Sequence, residues 1–74
     1  MATQTFTAML QREGDAYVAL CPELDVASQG NTVEQARANL REAVELLLET
    51  ASPTEIRQRL RTEVYLTSLE VEVG

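Results

Sequence analysis

The feature that most constrains the fold of this chain is an apolar stripe through its middle. Between residues 33 and 51, apolar side chains recur at spacings of three and four. They are Val33, Ala36, Leu40, Ala43, Val44, Leu47, Leu48 and Ala51. This spacing places them on one side of an α-helix and predicts a helix from Val33 to Thr50, about 27 Å long. An apolar face of that length must be covered, so the rest of the chain is expected to supply a sheet.

Helix start signals occur twice. Thr32 is a favourable N-cap residue, and Gln35 completes a Thr-x-x-Gln capping box. The sequence SPTE at residues 52–55 repeats the signal, with Ser52 as the cap and a proline at the first helical position. We expect a short second helix from there to about Arg61.

The first part of the chain has the pattern of a β-hairpin. Residues 3–12 alternate between apolar and polar side chains, and residues 16–21, AYVALC, form a second alternating run. The connection EGD at residues 13–15 is short, and its glycine can adopt a positive φ. These two runs are therefore predicted to be antiparallel strands.

Two further extended segments complete the predicted sheet. Pro22 has no N–H group, so it should end the second strand, and residues 26–30, VASQG, are predicted to be a third strand or an extended arm. Residues 63–73, EVYLTSLEVEV, alternate again and predict a long C-terminal strand. The predicted order β-β-β-α-α-β is an α+β architecture: a three-stranded antiparallel start, one long amphipathic helix, a short second helix and a C-terminal strand.

The length of the chain limits its sources of stability. Its 74 residues make one domain, residues 1–74. One Cys and no His exclude an internal disulfide and argue against a zinc site. A domain this small buries only roughly 60% of its extended surface, and self-association is a common remedy. We expect a homodimer or tetramer, with residues 63–73 as the natural pairing segment.

The charge of the chain bears on its partners. Twelve acidic residues stand against six arginines and no lysine, a net charge of −6, which argues against nucleic-acid binding. It favours a basic partner, although an acid excess also keeps a small protein in solution. Arg57, Arg59 and Arg61 cluster around the second helix, where a solvated face is favoured over a basic binding corner. The first residues lack the pattern of a signal peptide, no apolar run approaches the roughly 20 residues that span a bilayer, and an unpaired thiol suits a reducing compartment. The expected location is cytoplasmic, without membrane association.

The stretch CPELDVASQGNT, residues 21–32, contains the residue types from which an active site could be built. Cys21 has no histidine to activate it and is expected to pack as a small hydrophobe. Glu23 and Asp25 could form an acid–base pair or a magnesium site, but their spacing in a loop specifies no geometry. Gly30 lacks the further glycines and the cation of a phosphate loop. We predict no catalytic residue, no cofactor and no metal site.

A strand that ends near Pro-Glu-Leu is followed by Ser-Gln-Gly, a polar residue, Thr and a helix rich in Glu, Ala, Asn and Leu. In this pattern residues 17–49 resemble the core of the HicB-like antitoxin family. The residues in register are Pro22, Glu23, Leu24, Ser28, Gln29, Gly30, Thr32, Glu34, Ala36, Asn39, Glu42 and Ala43. The preceding strand and the closing SLEVEV also fit, so the likeness spans nearly the whole chain. Many relatives have Gly-Cys where this chain has Val26-Ala27, which is expected to straighten the third segment.

The resemblance implies a degraded ribonuclease-H-like fold without a working nuclease centre. It also implies the antitoxin half of a type II toxin–antitoxin pair, whose partner is a small, basic, HicA-like toxin that cleaves messenger RNA. Longer relatives append a DNA-binding element after the last strand; this sequence has none after residue 73, so direct DNA binding is not expected. Four acids are predicted to contact the partner because they should be exposed: Glu13 and Asp15 at the hairpin tip, and Glu23 and Asp25 in the following loop.

Two alternatives stay open. The chain could be a stand-alone scaffold or a small-ligand-binding module of the same fold, with a pocket between helix and sheet. It could also be a residual metal-dependent nuclease that uses acids such as Glu23 and Asp25. A metabolite that shifts the melting temperature would favour the first alternative, and metal-stimulated cleavage would favour the second.

Overall fold

The computed structural model describes residues 3–60 and 63–74, in which three strands precede two helices. The strands are β1 (Met9–Glu13), β2 (Ala16–Cys21) and β3 (Val26–Gly30), and the helices are α1 (Val33–Thr50) and α2 (Pro53–Leu60). The sheet has the order β1-β2-β3, and both strand pairs are antiparallel. This confirms the predicted α+β class with its three-stranded antiparallel start, long helix and short helix.

The hairpin of β1 and β2 has the predicted form. Glu13 pairs with Ala16 across a two-residue turn, and Gly14 in that turn has φ 60°. A side chain at this φ would crowd the backbone, so glycine suits the position. The Nε of Arg12 donates to the Gly14 carbonyl at 3.0 Å, which adds a side-chain hydrogen bond to the turn.

Strand β1 is shorter than predicted. The alternation predicted a strand over residues 3–12, but the strand begins at Met9. The backbone N–H of Thr7 donates to both carboxylate oxygens of Glu23, at 3.1 and 3.0 Å. The N–H therefore has a side-chain partner in the loop after β2 and is not available to a strand ladder.

The register of the sheet separates an inner face from an outer face. The buried residues of the described core are Ala19, Cys21, Leu24, Ala36 and Leu40. Because side chains alternate along a strand, Ala19 and Cys21 on β2 define the inner face, which α1 covers. We call the opposite side the outer face. Its apolar residues include Met9, Val18, Leu20 and Ala27, and three of them, Met9, Leu20 and Ala27, are cross-strand neighbours on β1, β2 and β3.

Both helices begin as predicted. The Thr32 hydroxyl accepts from the Gln35 N–H at 3.0 Å, and the Gln35 side chain accepts from the Asn31 N–H at 2.6 Å. This second bond lies one residue before the one that the capping box predicts. The Ser52 hydroxyl accepts from the backbone N–H at Glu55, at 3.1 Å, and starts α2. The predicted end of α2 near Arg61 lies outside the described residues.

The predicted C-terminal strand is wrong for the single chain. Residues 63–74 contain no strand or helix, and most of their apolar side chains are exposed. An alternating sequence supplies the side-chain pattern of a strand, but a strand also needs a neighbour to satisfy its backbone groups. The sheet of this chain contains three strands, and residues 63–74 do not pair with either edge.

Candidate functional site

The loop between β2 and β3, residues 22–25, forms the candidate functional site. Pro22 directly follows the last residue of β2, as expected of a residue without an N–H group. Leu24 turns inward and is fully buried, while Asp25 is exposed and has φ 55°. Asp is among the few residues that tolerate this left-handed conformation. The burial of Leu24 and the turn at Asp25 thus fix the course of the loop.

Glu23 connects this loop to the segment before β1. Besides its two bonds from the Thr7 N–H, its carboxylate accepts from the Thr7 hydroxyl at 2.7 Å. These bonds stabilise the charged form, and the hydroxyl bond has the largest effect, so the pKa of Glu23 is lowered. Glu23 is therefore a charged structural link over a sequence separation of 16 residues.

Cys21 is a packed thiol, as predicted. It belongs to the buried core, and burial is the main reason that its pKa is raised. Its Sγ donates to a Glu23 oxygen at 3.6 Å. A raised pKa keeps the sulfur protonated at neutral pH, whereas the thiolate is the nucleophilic form. This arrangement supports packing and not covalent catalysis at Cys21.

Arg59 joins α2 to the loop. Its Nη1 donates to the Leu24 carbonyl at 2.6 Å, across 35 residues of sequence, and its Nη2 lies 3.3 Å from a Glu55 oxygen. A cavity of about 360 Å³ is lined by Pro22, Glu23, Asp25 and Arg59. The arginine cluster in the sequence marked this helix as cationic, but only the fold shows that Arg59 reaches the loop. By contrast, within the described residues Arg57 donates to its own helix alone, to Thr54 at 3.4 Å.

The four predicted partner-binding acids fall into two separate groups. Glu13 and Asp15 lie at the β1–β2 turn, where both are exposed, and Glu23 and Asp25 lie in the loop at the other end of β2. A strand of this length separates its ends by about 17 Å. The fold therefore does not bring the four carboxylates into one cluster.

Several residues of the SQGNT segment and of α1 hold the sheet against the helix. The side-chain amide of Asn39 donates to the Gln29 carbonyl at 2.8 Å. A Cβ on Gly30 would lie 2.6 Å from the Ala36 nitrogen, so only glycine allows β3 to approach α1 this closely. With Thr32 as the N-cap, these residues explain the SQGNT stretch as a strand-to-helix connection.

The described residues offer binding groups without an obvious reaction centre. Within residues 3–60 and 63–74, no three acidic, Cys or His side chains lie close enough together to hold a metal ion. The loop provides carboxylates and a carbonyl, and Arg59 of α2 adds a guanidinium beside them; these groups are suited to non-covalent binding.

None of the helices in these two described stretches is long and apolar enough to cross a bilayer. Comparison of the chain with protein-family models, curated proteins and solved structures found no match in any of the three.

Proposed function

We propose that this chain is an antitoxin-like protein that binds and neutralises a small basic toxin, HicA-like in character, which cleaves messenger RNA. The observation that carries the proposal is the acidic surface of a chain with twelve acids, six arginines and no lysine. A toxin that binds RNA must present cations to phosphates, and carboxylates on the antitoxin can occupy the same positions. The HicB-like pattern of residues 17–49 specifies this class of partner. In this proposal the chain is not an enzyme and acts in the cytoplasm without binding DNA directly.

The proposed contacts are the four acids Glu13, Asp15, Glu23 and Asp25. Glu13, Asp15 and Asp25 are exposed and can pair directly with cations of the toxin. Glu23 already accepts hydrogen bonds from Thr7, so its main contribution is to hold the loop that presents Asp25. A toxin surface that meets both groups has to extend along β2.

The proposal includes the ancestry of the fold. An antiparallel three-stranded sheet followed by a covering helix supports a degraded ribonuclease-H-like fold, which is the fold that the HicB-like resemblance implies. The thiol of Cys21 is protonated, and the carboxylate of Glu23 already accepts hydrogen bonds from Thr7. These two features favour a binding role over a nuclease role.

The first experiment is a pull-down of the tagged chain from its own cells, followed by an RNA-cleavage assay. We expect near-stoichiometric recovery of a small, strongly basic protein whose RNA cleavage is lost when it is bound. The affinity should fall as salt is raised, because the attraction is between opposite charges. A bound partner that kept its full nuclease activity would contradict the proposal.

A matched pair of variants tests the contact surface. The double variant E13Q/D15N removes two exposed charges at the hairpin tip, and we expect it to slow toxin association several-fold at low salt. The control E42Q/E49Q removes the same charge from the exposed side of α1, so its association rate should stay close to that of the wild type. Equal effects of the two variants would show that only net charge matters.

The second candidate function is a small-ligand-binding module of the same fold. It is favoured by the cavity beside Arg59, where the Nε of Arg59 is buried without a hydrogen-bond partner among the described residues. A small polar molecule with an acceptor oxygen would satisfy this group. A metabolite screen by melting temperature tests the idea: a hit that raises the melting temperature of the wild type but not of R59A would support it.

A further inference from the structure

The C-terminal segment, residues 63–73, has a strand sequence and pairs with no strand among the other described residues, 3–60. Tyr65, Leu69, Val71 and Val73 alternate along it, and their exposed fractions are 81%, 86%, 68% and 92%. Two acids, Glu70 and Glu72, occupy the opposite side of the same alternation. Exposed apolar side chains in this arrangement are typical of a surface that is covered by another protein chain.

The sheet offers one edge that is more open than the other. Helix α1 packs against β3, and the side-chain amide of Asn39 donates a hydrogen bond to the Gln29 carbonyl of that strand. On β1, no backbone hydrogen bond from the described residues outside the sheet reaches the strand. Beside this edge, the outer face is apolar at Met9, which is 46% exposed, and at its cross-strand neighbour Leu20, and it is polar at Gln11 and Glu13. An open edge of this kind is a template for an added strand.

The exposed area of the chain is large enough for a stable interface. A compact protein of 8.2 kDa is expected to expose about 4,500 Å², whereas this chain exposes 6283 Å². The surplus, about 1,800 Å² by this scaling, exceeds the roughly 800 Å² that each partner buries in an interface of standard size. The radius of gyration, 14.5 Å, is likewise above the value of about 11 Å for a compact domain of this length.

We propose that residues 63–73 of one copy pair with β1 of a second copy, and that the exchange is reciprocal. In this dimer the segment becomes a fourth strand, and its backbone groups gain the ladder that they lack in the single chain. The apolar side of the segment then continues the outer face of the sheet. Glu70 and Glu72 lie on the opposite side, which on β1 carries Arg12, the cation of that strand. A second copy is the occupant because one sequence contains both the unpaired strand and the matching edge, as a two-fold symmetric contact requires.

The mass of the 74-residue chain in solution, without any partner, tests this inference. Light scattering coupled to gel filtration should give twice the 8.2 kDa chain mass, and the amides of residues 63–73 should be protected from hydrogen exchange. Dilution should release monomers and remove that protection. Because each copy carries −6, raising the salt should strengthen the dimer by screening repulsion. The predicted toxin complex has the opposite salt dependence, so the two proposals can fail separately.

Four variants locate the contact. V71P removes an N–H group from the segment, and M9K places a charge on the outer face of β1. Each variant should raise the dimer dissociation constant by about tenfold or more. V71T keeps the β-branched strand former, and L46K places the same charge on α1 at a residue that is 59% exposed. Both should leave the dimer nearly unchanged, since threonine keeps the backbone N–H and the β-branched shape at residue 71 and Leu46 lies outside the proposed contact.

Three results would overturn the inference. A chain that stays monomeric with unprotected C-terminal amides does not exchange strands. A monomer with protected amides pairs the segment with its own sheet. A dimer that survives both V71P and M9K uses a different surface.

Discussion

At the residue scale, two positions decide how the connecting segments meet the sheet and helix. At Gly30, the backbone of α1 is so close that a Cβ atom would overlap it. At Glu23 one carboxylate satisfies a backbone N–H and a hydroxyl of Thr7. Each position stabilises a contact between two segments, the first between β3 and α1 and the second between residues 16 apart in sequence.

Replacing Gly30 with alanine should destabilise the chain by about 1–3 kcal/mol, because the new Cβ would lie 2.6 Å from the Ala36 nitrogen and 2.9 Å from the Gln35 carbonyl carbon. Both are backbone atoms, so the helix itself would have to move. Urea unfolding measures the change. The comparison variant G14A has open space around its Cβ but a positive φ, and we expect it to lose about 1 kcal/mol. A G30A variant as stable as the wild type would contradict the close approach.

The variant E23Q should lose about 1 kcal/mol of unfolding free energy at pH 7, because a charged acceptor is replaced by a neutral one. The pKa of Glu23 is lowered in the folded chain. Its contribution is thus present above the unfolded-state pKa, about 4.3, and is lost as the pH falls through the folded-state pKa. The stability difference between wild type and E23Q should therefore shrink below about pH 4.

The control for this pH profile is D25N. Asp25 lies in the same loop, is exposed, and has a left-handed backbone conformation that Asn also tolerates. D25N removes the same charge without removing the bonds to Thr7, so its stability at pH 7 should stay within about 0.5 kcal/mol of the wild type. Equal losses in both variants would assign the effect to net charge.

At the element scale, α1 and α2 are held in different ways. Helix α1 buries Ala36 and Leu40 against the sheet, whereas α2 has no fully buried residue. Its link to the body runs through the Arg59 bond to the Leu24 carbonyl and the half-buried Ile56. Helix α2 should therefore open more readily than α1, because local stability follows buried contact.

The variant R59A should release α2 from the loop. Losing a charged donor to a carbonyl costs about 1 kcal/mol, which corresponds to roughly fivefold faster hydrogen exchange of the α2 amides. The amides of α1 should exchange at nearly the wild-type rate. R57A is the matched control, because the bond that Arg57 makes among the described residues stays within α2. Exchange that is equally fast in both variants would contradict the role of Arg59.

At the scale of the whole molecule, the chain has a small core. Leu24 and Cys21 are its largest fully buried side chains, and a chain of this length is expected to have a stability of only about 4–11 kcal/mol. A core this small makes association valuable, since binding to the folded state alone adds to its stability.

The variant L24A should lose about 2–4 kcal/mol, because it removes a buried leucine from the loop and leaves a cavity. L46A, at an exposed position of α1, should change stability by no more than about 0.5 kcal/mol. Thermal unfolding of both variants at several concentrations measures this, and the melting temperature of the wild type should rise with concentration if copies associate. Equal losses in L24A and L46A would contradict the buried placement of Leu24.

The accuracy of the sequence predictions depended on whether each signal was local. Thr32 and Ser52 act as caps through bonds to residues three positions away, and the apolar period of α1 lies within one helix. The starts of both helices and the length of α1 could therefore be predicted from the sequence. The start of β1 could not be predicted from the sequence, because the N–H of Thr7 bonds to Glu23, 16 residues away. The link from Arg59 to Leu24 was hidden for the same reason.

Sequence signals alone predict the hairpin, the bounds of α1, the start of α2 and the acidic charge of the chain, and they leave residues 26–30 as either a third strand or an extended arm. Caps, turns and side-chain periods act over a few residues, so they need no knowledge of the rest of the fold. The tertiary contacts were needed to show that Glu23 is a structural link, that the four acids lie at two ends of β2, and that residues 63–73 pair with no strand within the described part of the chain. Pairing and burial depend on which segments meet in space, and an alternating pattern does not specify its neighbour.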